Sequence, residues 1–144
     1  MKVEREIDIA ADPEEVYAVL MDARRLEDWV TIHDELLDAP QGPLTNGSKL
    51  TQRLRLGGKC FTVRWTVVEN ARARRVVWEG RGPMRSKASV IYDLAPDAEG
   101  THFSYTNEYE LPGGPLGKLA GPVLGRATAG ELDRSLERLR RLLE

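Results

Sequence analysis

Four polar side chains occupy positions where the surrounding pattern calls for apolar ones, and these are the residues with which the chain could do chemistry. Arg5 shares its parity with Val3 and Ile7, Gln52 lies between Leu50 and Leu54, Ser86 precedes Ala88, and Asn107 lies between Tyr105 and Tyr109. In extended chain, residues two apart share a face, so each of the four is aimed at an apolar side. There they could orient a ligand, and Arg5, Asn107, Gln52 or a tyrosine could polarise a carbonyl by hydrogen bonding. The plainer alternatives are that Arg5 reaches out of its strand end to solvent and that the other three make structural hydrogen bonds, as buried polar groups do.

Other catalytic groupings are lacking. His33 precedes Asp34 and Glu35, either of which could orient it as a base. Acids adjacent in sequence usually point apart, so an exposed loop histidine is the plainer reading. His102 takes the outward parity beside Phe103. Metal-ligand spacing, a Gly-x-Ser-x-Gly elbow, a phosphate loop and a dinucleotide fingerprint are all absent from the sequence, and neither metal nor cofactor is expected. The single cysteine, Cys60, cannot form an internal disulfide and reads as a small packing residue. A net charge of −2 carries no bias toward nucleic acid or anionic membranes. The stretch Met1-Lys2-Val3-Glu4-Arg5 lacks a signal-peptide core, and no apolar run approaches a membrane span. These features predict a cytoplasmic protein with no nucleic-acid partner and no stable membrane insertion.

The elements that must position these residues are legible in the spacing. At 144 residues the chain has the size of one domain, taken as 1–144. Val3, Ile7 and Ile9 alternate with Glu4, Glu6 and Asp8, which predicts a strand with one wet face. Asp12-Pro13-Glu14-Glu15 is a helix start with Asp12 as cap, and Asp22 can cap a second short helix carrying Leu26 and Trp29. Pro40 to Ser48 is a loop. From Lys49 the period-2 signal dominates, with turns at Gly57-Gly58, Gly82-Pro83 and Pro96 to Gly100 separating Leu50/Leu54, Phe61/Val63/Trp65/Val67, Val76/Trp78, Ala88/Val90/Tyr92 and Phe103/Tyr105/Tyr109. Short links imply an antiparallel meander.

In the last segment, Leu116, Ala120, Val123 and Ala127 lie on one helical face and Leu132, Leu136, Leu139 and Leu143 on another. Pro122 after Gly121 is the natural break, since proline lacks a backbone donor, so a short turn or helix followed by a long helix is expected. Small residues (Gly121, Gly125, Ala127, Ala129, Gly130) cluster near its start, where they leave space for a well.

This order of elements, with Asp12-Pro13, Val16, Asp22, Leu26 and Trp29 at these spacings, resembles the polyketide cyclase/dehydrase and lipid-transport group of the START-like (SRPBCC) superfamily over essentially the whole chain. The resemblance implies an α+β helix-grip fold: a curved antiparallel sheet of about seven strands around a long C-terminal helix, with two short helices after strand 1. It also implies that the first and last strands are neighbours, which would bring Arg5 toward Asn107. Members often carry a proline soon after the tryptophan. Here Val30-Thr31-Ile32 follows Trp29, so the entrance loop differs.

A hydrophobic well between sheet and helix would draw on the polar four, on Leu54, Phe61, Val63 and Val90, and on the aromatics Trp29, Trp65, Trp78, Tyr92, Tyr105 and Tyr109. The helix would contribute Leu116, Ala120, Val123, Leu124 and Ala127. A dry void of ~300 Å3 would cost roughly 7 kcal/mol, which favours a wet or occupied well. The leading expectation is a binder of a small hydrophobic molecule, polyketide-, isoprenoid- or lipid-like. The alternatives are a polyketide aromatase/cyclase or dehydratase in the same well, and a protein-interaction module using two basic clusters: Arg72, Arg74 and Arg75, and Arg81, Arg85 and Lys87.

Overall fold

Alternation makes the first strand: β1 (Lys2–Ile9) buries Val3 and Ile9 and turns Glu4, Glu6 and Asp8 to solvent. The computed structural model describes residues 1–110 and 114–144, with side chains for all of these except 114–125. After β1, Asp12 caps α1 (Pro13–Leu20), its Oδ1 accepting the Glu15 N–H at 2.9 Å, with proline at the helix start as expected. Asp22 caps a 3-10 turn (Ala23–Arg25) that leads into α2 (Leu26–Trp29). Six strands follow, namely β2 (His33–Asp38), β3 (Lys49–Leu56), β4 (Lys59–Ala71), β5 (Arg75–Arg81), β6 (Lys87–Pro96) and β7 (Thr101–Glu110), and then α3 (Gly114–Leu143).

All seven strands pair antiparallel in the order β1-β7-β6-β5-β4-β3-β2, a meander with the first strand added beside the last. Register shifts between Val67 and Glu69 in β4, and twice in β2, are where the ladder bends, as bulges do. The curved sheet, the C-terminal helix and the short helices after β1 form the helix-grip arrangement. Among the described residues, no helix is long and apolar enough to cross a membrane.

Two ties set the direction of α3. Arg5 pairs with Asp133 at 3.1 Å, and the Ala10 N–H donates to Glu144 Oε2 at 3.0 Å. From Asp133 to Glu144 a helix rises about 16.5 Å, and from Arg5 to Ala10 a strand advances about the same distance. The two lengths agree, so α3 runs alongside β1 and covers it. Thr128, Leu132, Ser135, Leu136 and Leu139 form its buried stripe.

Three expectations need correcting here. The break at Gly121-Pro122 does not occur, since α3 is one helix through Pro122. A proline forfeits one backbone hydrogen bond, and a 30-residue ladder with a packed second half tolerates that loss. Ala127 is exposed, one residue (about 100° of helical turn) away from the buried Thr128. Cys60 is exposed rather than packed, because Phe61, Val63, Trp65 and Val67 hold the inner parity of β4 and leave Cys60 on the other face.

Leu139 on α3 is fully buried while its neighbour Arg138 is exposed. Leu139→Ala is expected to lower unfolding free energy by about 2–5 kcal/mol in a urea titration, and Arg138→Ala by no more than ~0.5 kcal/mol. Equal losses would contradict the packing of α3.

Candidate functional site

The inner face of the sheet is apolar because one parity of each strand is apolar, and α2 with the segment after it closes over its centre. Between them lies a cavity of about 50 Å3 lined by Leu26, Val30 and Ile32 on one side. The sheet side is formed by Leu50, Gln52 and Leu54 of β3, Trp65 of β4, Trp78 of β5, Val90 and Tyr92 of β6, and Tyr105 and Asn107 of β7. At ~24 cal/mol per Å3 such a cavity costs about 1 kcal/mol, which a folded domain tolerates without a ligand. It is much smaller than the ~300 Å3 considered from sequence, and its volume suits a few waters.

Eight of the expected residues meet here: Gln52, Leu54, Trp65, Trp78, Val90, Tyr92, Tyr105 and Asn107. Others lie elsewhere. Trp29 is fully buried in the core, its ring 5.6 Å from that of Tyr105 and 6.1 Å from that of Tyr92. Val63 is buried behind the cavity, and Phe61 is half-buried next to the β3–β4 turn. The Ser86 hydroxyl is used at the β5–β6 turn, where it donates to the Pro83 carbonyl at 2.7 Å. Tyr109 is half-buried with its hydroxyl between Met1 Sδ and Thr128 Oγ1, at 3.1 and 3.3 Å.

Arg5 stands directly across from Tyr105, but its guanidinium turns to Asp133 on α3 and is 43% exposed, so it does not approach Asn107. Desolvating a guanidinium without a buried partner is too costly for it to do otherwise. Ala127, being exposed, is no part of the wall. Leu116, Ala120, Val123 and Leu124 lie outside the residues whose side chains are described. The wall residues Val30 and Ile32, in the segment after Trp29, are identified only by the structure.

The polar groups of the cavity are ordered by a short relay. Trp65 Nε1–H donates to Gln52 Oε1 at 3.0 Å, and Gln52 Nε2 stands 2.8 Å from His33 Nδ1. An indole nitrogen can only donate, so the glutamine oxygen must face Trp65 and its NH2 must face His33. His33 Nδ1 therefore accepts, and the proton sits on Nε2 of a neutral ring. Burial lowers the His33 pKa below 6.5, against the pull of Glu27 and Asp34. His33 is thus a half-buried residue opening β2, not an exposed loop histidine. Asp34 and Glu35 do not orient it, since both carboxylates bind Arg53.

Burial pushes the Tyr105 hydroxyl up to about 12 and the Tyr92 hydroxyl well above its usual value. Both phenols are neutral at pH 7, so no described lining residue carries a charge. The segment that closes the cavity is clasped to α3 at Thr31. Its N–H donates to Ser135 Oγ at 3.0 Å, and its hydroxyl contacts the Ser135 hydroxyl and both the carbonyl and carboxylate of Glu131.

Away from the cavity, His102 faces outward as expected. Its Nδ1 is 2.8 Å from Asp8 Oδ1, and the hydrogen bond to Asp8 raises its pKa. Asp97 brings a further carboxylate there, so that the ligand atoms of Asp8, Asp97 and His102 lie within 4.8 Å of one another, a proximity the sequence spacing does not reveal. Asp97 Oδ1 accepts the backbone N–H groups of Glu99 and Gly100 and so closes the β6–β7 turn. Of the basic clusters, Arg72 pairs with Glu14 and Arg75 with Glu69 and Asp93.

The two histidines are expected to titrate on opposite sides of 6.5, His33 below and His102 above, in an NMR pH titration. Asp8→Asn should return His102 toward 6.5 and leave His33 unchanged. Because folding lowers the His33 pKa, stability falls as pH drops below 6.5 toward the folded value; His102 contributes below 6.5 and loses its contribution as pH rises through its raised value. A His33 midpoint at or above 6.5 would contradict the relay. Gly80 leaves room for Trp65, since a Cβ there would stand 2.7 Å from the indole ring. Gly80→Ala is therefore expected to cost about 1–3 kcal/mol in urea unfolding and to shift the Trp65 indole N–H resonance.

Comparison with known proteins follows the same lines. Toxin Rv0910 of Mycobacterium tuberculosis is 25% identical over 125 residues, 85% of this chain and 87% of its own. TTHA0849 from Thermus thermophilus has the same fold, with a TM-score of 0.79 at 19% identity over 98% of this chain and 95% of that one. DynU16, described as a protein in the dynemicin biosynthetic locus, aligns at a TM-score of 0.66 and 23% identity over 99% of this chain and 46% of its own. The family described as polyketide cyclase/dehydrase and lipid transport matches residues 1–144, and the chain belongs to it.

Proposed function

We propose that the protein binds a small hydrophobic molecule, polyketide-, isoprenoid- or lipid-like, on the inner face of its sheet. The observation that carries this reading is the cavity lining: aromatic and aliphatic, with a few neutral polar groups and no charge among the described residues. Membership of the family supports it, as does the likeness to a protein of the dynemicin biosynthetic locus. A volume of about 50 Å3 is smaller than the ~150 Å3 that takes up benzene, so binding requires dilation. The Thr31 clasp joins the closing segment to α3 and is where dilation would begin.

A second reading, a cyclase or dehydratase acting in the same cavity, is favoured by the two neutral phenols that line it. A phenol held protonated can donate a hydrogen bond to a carbonyl oxygen as negative charge develops on it.

Native mass spectrometry of freshly purified protein is expected to show a stoichiometric adduct that denaturation releases as an apolar molecule. Absence of any adduct, together with no thermal shift across a panel of aromatic polyketides, isoprenoid quinones and fatty acids, would refute the binding reading. Tyr105→Phe separates the two readings: a carrier keeps its affinity, whereas an enzyme using this phenol loses about 10²-fold or more in turnover at unchanged affinity.

A further inference from the structure

Two buried donors on the cavity wall have no protein partner among the described residues: the Trp78 indole Nε1 and the Asn107 amide Nδ2. They are placed together by register. Trp78 pairs with Val90 on β6 and Val90 with Asn107 on β7, so the two side chains leave the same face on one cross-strand row, with Cα atoms about 10 Å apart. Gln52, the other amide of the wall, has a partner at each end, Trp65 at its oxygen and His33 at its nitrogen. Asn107 stands near the Tyr105 hydroxyl and lowers its pKa against the larger effect of burial, but no bond of acceptable geometry joins them. The stretch 111–125 offers no side-chain acceptor, because it contains only Leu, Pro, Gly, Lys, Ala and Val. Trp29 makes a useful contrast: its indole N–H is also unpartnered, but Trp29 does not line the cavity.

A buried N–H without an acceptor costs about 1–3 kcal/mol, and a ligand oxygen that reaches it recovers that cost where a hydrocarbon of the same shape cannot. Among the described residues the lining has no cation to receive an anionic ligand and no carboxylate to receive a cationic one, and bringing a bare charge into such a site is heavily penalised. Resting on the binding reading above, we infer that the ligand presents a neutral acceptor oxygen, of ketone, quinone or ester type, to the Asn107 amide and the Trp78 indole N–H. These two residues then set the preference for carbonyl compounds over hydrocarbons.

The test compares two probes of nearly equal shape, 1-indanone and indane, with binding read by calorimetry and by the indole N–H resonances. Wild type is expected to bind the ketone about tenfold tighter or more. Asn107→Leu and Trp78→Phe should each bring that ratio toward one; the ratio is taken within each variant, so a change in apolar packing common to both probes cancels, and measurable indane binding shows that the variant is folded. If wild type binds both probes equally, or if neither variant changes the ratio, the inference is overturned and the binding reading survives. If neither probe binds wild type at concentrations that saturate a hydrophobic dye in the same protein, the inference falls while dye binding still supports the cavity. If the dye fails as well, both fall.

Discussion

A seven-stranded antiparallel sheet with one apolar face exposes that face to water unless a second layer covers it, and here three helices and one connecting segment must do so. α3 is laid along β1 by the Arg5–Asp133 pair and the Ala10–Glu144 bond, and its Leu132, Leu136 and Leu139 stripe seals that side. α1 and α2 cover other parts of the face. At the centre Trp29 packs on Tyr92 and Tyr105, and among the described residues Leu26, Val30 and Ile32 face Trp65, Trp78, Tyr92 and Tyr105 across the gap that is the cavity.

The polar groups beneath that cover behave in two ways. Gln52 bridges Trp65 and His33 with a partner at each end, which fixes the ring orientation of Trp65 over Gly80, while burial lowers the pKa of His33. Asn107 and Trp78 are not locked in this manner. A satisfied network rigidifies, whereas unpaired donors are costly unless something else meets them. The same wall thus contains a rigid polar corner and, one row away along the strands, a corner with unused hydrogen-bonding capacity.

Much of this was legible in the sequence because the signals were local. Strand β4 announces itself through Phe61, Val63, Trp65 and Val67, and α1 through Asp12-Pro13. Parity alone selected Gln52 and Asn107 as polar groups on the apolar side, and it selected eight of the twelve cavity residues together. Parity misled where a long side chain could choose its own exit. Arg5 sits on the inner parity and still leaves it, because a flexible stem carries the charge to Asp133. Ser86 was misplaced for the opposite reason, a short hydroxyl captured by the nearest carbonyl in its own turn. The spacing points to an exposed loop for His33 because β2 is a short edge strand with two register shifts, which leaves no clean alternation to read.

What the sequence determined by itself is the series of elements and the face each presents, since period and capping act over a few residues. Only the tertiary structure decided which inward side chains share a space, which find partners, and which proton state they keep. Those outcomes depend on residues far apart in the chain, such as Gln52 bonded to His33 and Trp65, Thr31 bonded to Ser135, and Trp78 and Asn107 placed on one row by Val90 between them. Hydrogen bonding and desolvation are settled by distances of a few tenths of an ångström, and no spacing along a chain specifies those before the sheet has curved and the helix has closed on it.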